Sequence, residues 1–488
     1  MKLSEYTAYD ALGLADLVKK GDVTALELAK LALQAIDTLN PELNAVLEVF
    51  DDQLDNLAES KKNDGPLAGV PFLVKDLILH IEGRKSEMGS RLCQGMIAPH
   101  STHLATKFDD AGLITLGRTA TPEMGFCTTT ESVLNGPTRN PWNTDIMPGG
   151  SSGGSAAIVA AGAVPVAHGN DGGGSIRIPA ACCGLVGLKP SRGRTPIGPD
   201  AGDGLNGLGI EHVLSRSLRD CAAILDATEG AMPGDPYAII RPERPYLMEL
   251  DRKCEPLKIG FTSTAWSGVH VDAEIAEATK KTALLCADMG HMVEQATPRF
   301  DYDSFHEATV TFWCANIALW INQISEMTGR PPNLNHLEAT TLACYHYGLE
   351  LKATDMAAAF AVMNMVSRDV SVFFQKYDVL LTPTTALLPQ KIGTYNANDP
   401  ALDANSWTEH IFSFAPFTAL FNMTGQPAIS LPLSMSATGL PIGMQLVGGM
   451  GREDILFRLS AQLEHAAPWA GRHPQTSLWN PKYLGDTT

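Results

Sequence analysis

The stretch from Gly149 to Ser175 decides the fold of this chain, and it reads GGSSGGSAAIVAAGAVPVAHGNDGGGS. A glycine- and serine-rich loop comes first, and an alanine-rich segment that favours a helix follows it. The apolar run Val164–Ala167 then predicts a buried strand, and a second glycine loop ends at Ser175. Strand-like and helical segments alternate on both sides of this stretch. The alternation predicts an α/β fold with a large, mixed, mostly buried sheet covered by helices.

Short aliphatic runs predict the strands of this sheet. They are Val70–Val74, Leu113–Leu116, Val164–Ala167, Leu257–Phe261, Val379–Leu381, Ala428–Leu431 and Gly443–Val447. Helices are predicted over Asp272–Met289 and Asp454–Glu464. Near the N-terminus, a capping box at Thr24–Glu27 begins a predicted amphipathic helix, and Pro41 is predicted to end it.

The domain organisation is predicted to be simple. No linker rich in proline, glycine or serine divides the 488 residues, so we predict a single domain over 1–488. Residues 302–376 are mostly helical in pattern and interrupt the alternation of strands and helices. We expect them to form a helical lobe that covers the active site.

Composition and charge exclude several classes of protein. With 44% hydrophobic and 18% charged residues, the chain can build a large core and is not disordered. A net charge of −18 without a basic cluster argues against nucleic acid as a partner. The nine cysteines include no CxxC pair, which argues against a zinc site and fits free thiols in a reducing compartment.

The sequence also bears on location and assembly. Residues Met1–Tyr6 have no apolar signal-peptide region, and the longest apolar stretch, Ala156–Ala167, is too short to span a bilayer. We therefore expect a cytoplasmic protein without a membrane partner. A homodimer is the default expectation for a soluble enzyme of this size.

The second glycine loop has the composition of an anion-binding turn. In Asp171-Gly172-Gly173-Gly174-Ser175, successive backbone N–H groups can converge on one oxygen, because glycine has no Cβ. Such a turn can stabilise the oxyanion of an acyl-transfer reaction, and Ser175 at its edge is a candidate nucleophile. A phosphate-binding loop is excluded, since neither loop has the Gly-Lys-Ser/Thr ending or GxGxxG spacing.

Lys75 is the candidate base for such a reaction. A free lysine has a pKa near ~10.4, so it must be desolvated to be neutral at pH 7. The apolar run Val70–Val74 before it supplies such surroundings. A surface lysine paired with Asp76 remains the alternative interpretation. His168 lies close in sequence to Ser175, but no GxSxG elbow is present, and we interpret His168 as a structural residue.

These motifs together resemble the amidase signature family, from about residue 20 to about residue 470. The stretches Gly184–Ser191 (GLVGLKPS) and Gly425–Pro432 (GQPAISLP) also fit the family. The resemblance implies the amidase-signature fold and hydrolysis of a small-molecule amide, without a metal or an organic cofactor. It further implies a Ser–cisSer–Lys catalytic triad of Ser175 (nucleophile), Ser151 (proton relay after a cis peptide bond) and Lys75 (base). The N–H groups of Gly172, Gly173, Gly174 and Ser175 would form the oxyanion hole.

Within the family, the run from Pro165 to Ala180 is similar to the nylon-oligomer amidases, which act on cyclic or linear ω-amino acid amides. Cys314 falls where that branch has a substrate-contacting cysteine, although a packing role for Cys314 stays open. Gly172-Gly173 departs from the branch, which has an alanine-containing pair there. The alternative function is the glutaminase (A-type) subunit of a tRNA-dependent amidotransferase, with which Asn135–Trp142 is compatible.

Overall fold

A large mixed β-sheet runs through the protein. The structure is a computed structural model that describes residues 1–59, 64–237 and 239–484. In these residues, eleven strands form one sheet in the order β1-β3-β2-β6-β8-β7-β12-β13-β11-β9-β10, and β4 and β5 form a separate two-stranded ladder. The strands are β1 Val46–Val49, β2 Pro71–Lys75, β3 Ile114–Thr119, β4 Glu131–Ser132, β5 Gly136–Pro137, β6 Val166–Asp171, β7 Val186–Lys189, β8 Ile210–Ser215, β9 Lys258–Phe261, β10 Met292–Gln295, β11 Val379–Pro383, β12 Ala428–Met435 and β13 Pro441–Gly448.

Helices lie between the strands and pack on both faces of the sheet. They are α1 Leu3–Tyr6, α2 Ala11–Lys20, α3 Ala25–Leu43, α4 Asp52–Glu59, α5 His103–Asp110, α6 Gly153–Ala160, α7 Arg177–Cys183, α8 Leu218–Thr228, α9 Tyr246–Glu249, α10 Ala273–Asp288, α11 Tyr302–Thr328, α12 Ala339–Glu350, α13 Ala353–Phe374, α14 Ala404–Phe414, α15 Leu420–Thr424 and α16 Glu453–Ala466. The core divides into two main hydrophobic clusters. Ala428 of β12 belongs to one, and its neighbour Ile429 belongs to the other, because successive side chains of a strand point to opposite faces.

The predicted α/β fold is confirmed, and all seven predicted strands are present within a few residues of their predicted ends. The predicted capping box is also confirmed, since Thr24 Oγ1 accepts from the Glu27 N–H and Glu27 accepts from the Thr24 N–H. The prediction that Pro41 ends this helix is wrong. The helix α3 continues to Leu43 and ends at Asn44 in the left-handed conformation. A proline this close to a helix end removes one backbone hydrogen bond at most.

The order of the central strands brings the two glycine–serine loops and Lys75 together. Strand β2 pairs in parallel with β6, so the C-terminal residues of both strands, Lys75 and Asp171, lie at the same edge of the sheet. Strand β8 pairs antiparallel with β6, with Glu211 opposite Asn170. All residues of these three strands are buried, so the strands leave no open path for solvent to the end of β2.

Residues 302–376 contain the helices α11, α12 and α13. Trp313 and Trp320 of α11 line the cavity that also contains Ser151 and Ser175. Of the helices in the described residues, α13 is long and apolar enough to cross a membrane by length and composition. One such helix is a weak indication of a span, and Val366 of α13 is fully buried in the protein core.

The contact between α11 and α12 depends on a glycine. A Cβ on Gly348 of α12 would lie 2.1 Å from the backbone oxygen of Cys314 in α11. We expect Gly348→Ala to lower the free energy of unfolding by about 1–3 kcal/mol, because overpacking outweighs the better helix propensity of alanine. Urea unfolding measures the change.

Gly471→Ala is the matched control, since a Cβ there meets nothing within 4 Å. It should change the free energy of unfolding by less than about 0.5 kcal/mol. Equal stability of Gly348→Ala and the wild type would show that α12 can shift away from α11 without cost.

Candidate active site

Lys75 ends β2 inside the protein. Its side chain is fully buried, as are the residues that precede it in the strand. Nζ lies 2.7 Å from Oγ of Ser151 and 2.5 Å from Oδ1 of Asn170. The structure therefore rules out the alternative of a surface lysine. Asp76, its expected partner in that alternative, pairs instead with Arg118 at 2.8 Å.

Asn170 determines the direction of one of these hydrogen bonds. Its Nδ2 donates to the carbonyl of Leu77 at 2.9 Å, so Oδ1 is the accepting end of the amide. Lys75 must then donate to Oδ1. A neutral lysine that donates to Asn170 keeps its lone pair for another partner, and the Ser151 hydroxyl lies in reach. Sequence reasoning missed Asn170, because it lies on a different strand, 95 residues away from Lys75 in the chain.

Burial lowers the pKa of Lys75 to about 7, and the carboxylates of Asp171 and Glu211 oppose this effect. The ordinary value is 10.5, so removal of the amine from water is the larger influence. At neutral pH, about half of the molecules then hold an uncharged amine at this position. The arrangement can accept a proton from a neighbouring hydroxyl.

Ser151 lies in the first glycine–serine loop, and the Gly150–Ser151 peptide bond is cis. Thr130 holds this loop, because its Oγ1 donates to the carbonyl of Gly149 and accepts from the N–H of Gly153, each at 3.0 Å. The helix α6 begins directly at Gly153 and is buried along its whole length. The loop is therefore anchored at both ends, and the Ser151 side chain faces Lys75.

Ser175 follows the second glycine loop, directly before α7. It lines the same cavity as Ser151, and its hydroxyl makes no hydrogen bond to any of the described residues. The cavity has a volume of about 40 Å³, and its apolar wall includes Leu205, Trp313 and Trp320. About three water molecules fill such a volume. The cavity therefore combines the two serines with large apolar side chains.

A buried ion pair shapes the glycine turn before Ser175. Asp171 accepts from Nε and Nη2 of Arg177, each at 2.9 Å, and both side chains are fully buried. Burial raises the pKa of Asp171, but Arg177 outweighs this and holds it well below its usual range. The Asp171 carboxylate also accepts from the N–H groups of Gly174 at 2.7 Å and Ile176 at 3.2 Å. Asp171 therefore fixes the turn, and sequence reasoning did not assign it this task.

This contact corrects the expected oxyanion hole. The N–H of Gly174 is bound to Asp171 and is not available to a substrate oxygen. The N–H groups of Gly172, Gly173 and Ser175 make no hydrogen bond within the described part of the chain. They are the remaining candidate donors. Gly174 has φ of 135°, a conformation that favours glycine.

Cys314, a candidate substrate-contacting residue with a packing role as the alternative, lies next to Trp313 on α11. Among the described residues that line the cavity, its neighbour Trp313 is present and Cys314 is not. The Cys314 side chain is fully buried, and a hydrogen bond with Cys344, together with burial, raises the pKa of its thiol. This placement favours the packing interpretation of Cys314.

A group that could hold a metal ion lies outside the cavity. The ligand atoms of His80, His100 and Asp200 all lie within 4.8 Å of one another. Nε2 of His100 is 2.8 Å from Oδ1 of Asp200, so these two side chains also contact each other directly. In the described residues, no other group of this kind is found.

Comparisons with known proteins agree with the geometry. The Amidase family profile matches residues 27–457. The chain is 38% identical to the 6-aminohexanoate-cyclic-dimer hydrolase of Paenarthrobacter ureafaciens over 97% of both chains. A solved structure of 6-aminohexanoate cyclic dimer hydrolase with substrate has a TM-score of 0.91 at 36% identity, covering 98% of this chain and 100% of that one.

A bacterial aryl acylamidase of the amidase signature family is also similar, with a TM-score of 0.87 at 27% identity over 98% of this chain and 97% of that one. The match therefore extends over nearly the whole chain and includes both glycine–serine loops. This chain belongs to the amidase signature family, and it is an enzyme that hydrolyses carbon–nitrogen bonds of amides other than peptide bonds.

Proposed function

We propose that this enzyme hydrolyses cyclic or linear ω-amino acid amides through an acyl-enzyme on Ser175. The observation that carries the mechanism is the contact of 2.7 Å between Nζ of the buried Lys75 and Oγ of Ser151, in a site whose cavity Ser151 shares with Ser175. The substrate class rests on the likeness to the cyclic-dimer hydrolases. That likeness, over 97% of the chain, favours this function over the glutaminase subunit.

In the acylation step, Ser175 Oγ forms a bond to the amide carbon. The proton of Ser175 passes to Ser151, and the proton of Ser151 passes to neutral Lys75. The N–H groups of Gly172, Gly173 and Ser175 bind the oxyanion. When the C–N bond breaks, Lys75 returns a proton through Ser151 to the leaving amine. Water then attacks the acyl-enzyme with Lys75 as the base, and the acid is released.

Ser175→Ala should lower kcat by about four to six orders of magnitude, because the nucleophile and its base act as a unit. A fluorophosphonate should label the wild type at Ser175 and fail to label the variant, which peptide mapping by mass spectrometry detects. Ser371→Ala, an exposed serine of α13, is the control and should keep full activity. A label on another serine would assign the role of nucleophile to that serine instead of Ser175.

The rate should depend on the protonation of Lys75. Because the base must be neutral and its pKa is about 7, we expect kcat/KM to rise tenfold per pH unit below pH 7 and to level off above it. Lys75→Arg keeps a cationic side chain that does not deprotonate, and it should lose nearly all activity at every pH. An activity that is constant from pH 5 to pH 8 would contradict this role of Lys75.

The substrate class can be tested by a turnover screen with linear ω-amino acid amides, cyclic diamides and aryl amides. We expect the highest kcat/KM for the first two, with Ser175→Ala as the blank. A strong preference for aryl amides would place the enzyme with the aryl acylamidases and leave the acyl-enzyme mechanism intact.

A further inference from the structure

Glu211 is a buried acid that the mechanism above does not use. It lies on β8, its residue is 2% exposed, and neither carboxylate oxygen has a hydrogen-bond partner among the described residues. It also lines the cavity that contains Ser151 and Ser175. A buried charge without a partner is costly, so a function is expected to retain it.

His168 lies between Glu211 and the backbone of Lys75. The N–H of Lys75 lies 3.3 Å from Nδ1 of His168 and donates to it, so Nδ1 is unprotonated. A neutral imidazole then has its proton on Nε2, which lies 3.4 Å from Oε1 of Glu211. The imidazole is fully buried and packs edge-on against Phe108 at 6.0 Å. His168 thus lies next to the carboxylate of Glu211 but makes no hydrogen bond to it.

The sheet register brings Glu211 close to the amine of Lys75. Glu211 lies directly opposite Asn170 in the antiparallel ladder of β6 and β8. Opposite residues in such a ladder share a face of the sheet, with Cβ atoms about 5 Å apart. Asn170 Oδ1 is itself 2.5 Å from Nζ of Lys75. The carboxylate of Glu211 therefore lies beside the group that holds the amine.

We propose that Glu211 is a positioning residue for Lys75, and that its carboxylate is the counter-charge for the ammonium that Lys75 becomes when it takes the proton of Ser151. The inference rests on the proposed acyl-enzyme mechanism. In this role, Glu211 stabilises the state that follows proton transfer.

The other charged groups around Lys75 are already paired. The Asp171 carboxylate binds Arg177, and Asp76 binds Arg118. Among the described residues that face Lys75 from β2, β6 and β8, Glu211 is thus the acid that has no cationic partner, and His168 is neutral in this tautomer. Asp171 and Glu211 both raise the pKa of Lys75 against the effect of burial.

The test is the pH profile of kcat/KM for Glu211→Gln on a neutral amide. Without the carboxylate, the ammonium of Lys75 is less stable and the pKa of Lys75 falls. We expect the acid limb to move to lower pH by about one unit, and kcat on the plateau to fall about tenfold or more, with KM unchanged. The position of the limb does not depend on the fraction of folded enzyme, so partial misfolding cannot imitate this result.

Two variants serve as controls. Glu211→Asp keeps the charge and should return the acid limb to within a few tenths of a unit of the wild type. Glu326→Gln removes one charge from the exposed face of α11 and should leave the profile unchanged.

An acid limb of Glu211→Gln at the wild-type position would overturn the inference. A rise in KM confined to cationic amides would also overturn it and would identify Glu211 as a substrate-binding residue. Failure of the proposed mechanism can be distinguished from failure of the assignment of Glu211. In the first case, Ser175→Ala would keep its activity, or the fluorophosphonate would label a residue other than Ser175. If both of those tests support the mechanism and the limb does not move, only the assignment of Glu211 fails.

Discussion

The burial of one amine is the constraint on which the site depends. Lys75 has no exposed surface, and its Nζ contacts Ser151 and Asn170. Removing an ammonium from water costs several kcal/mol, and the protein meets this cost in part by allowing the neutral form near pH 7. The surrounding architecture, three buried strands and two anchored loops, keeps water from the amine and holds its partners in place.

A second buried pair, Asp171 and Arg177, makes the glycine turn rigid. The Asp171 carboxylate binds the Arg177 guanidinium twice and the backbone N–H of Gly174 as well. An oxyanion hole has to be organised before the substrate arrives, because donors that must reorient lose much of their effect. In the proposed mechanism, Asp171 supplies this organisation, and the N–H of Gly174 binds Asp171 instead of the substrate oxygen.

The helix α11 contributes to the wall of the cavity. Trp313 of α11 stacks on Phe126 with centroids 4.3 Å apart, and both Trp313 and Trp320 line the cavity. Two large aromatic side chains thus share the cavity with Ser151 and Ser175. The shape of the cavity therefore depends on α11 as well as on the two glycine–serine loops.

The sequence by itself determined the fold class and the strands with short aliphatic runs, and it singled out Lys75, Ser151 and Ser175 as the proposed catalytic residues, with Ser151 assigned through the family resemblance. These features are local, because a run of aliphatic residues, a glycine turn or a capping box can be recognised from residues that are adjacent in the sequence. Among the eleven strands of the large sheet, sequence reasoning missed β1, β7, β8 and β10, which lack a long aliphatic run or lie at an exposed edge of the sheet, and it also missed the short strands β4 and β5.

Only the tertiary structure decided which groups meet Lys75. Asn170 and Glu211 lie near it because β2, β6 and β8 are neighbours in the sheet. The N–H of Gly174 donates to Asp171 because the turn folds back on its own first residue. Strand order and side-chain direction arise from packing between segments far apart in the chain. No pattern within a single segment encodes them, and the sequence therefore left the role of Cys314 open.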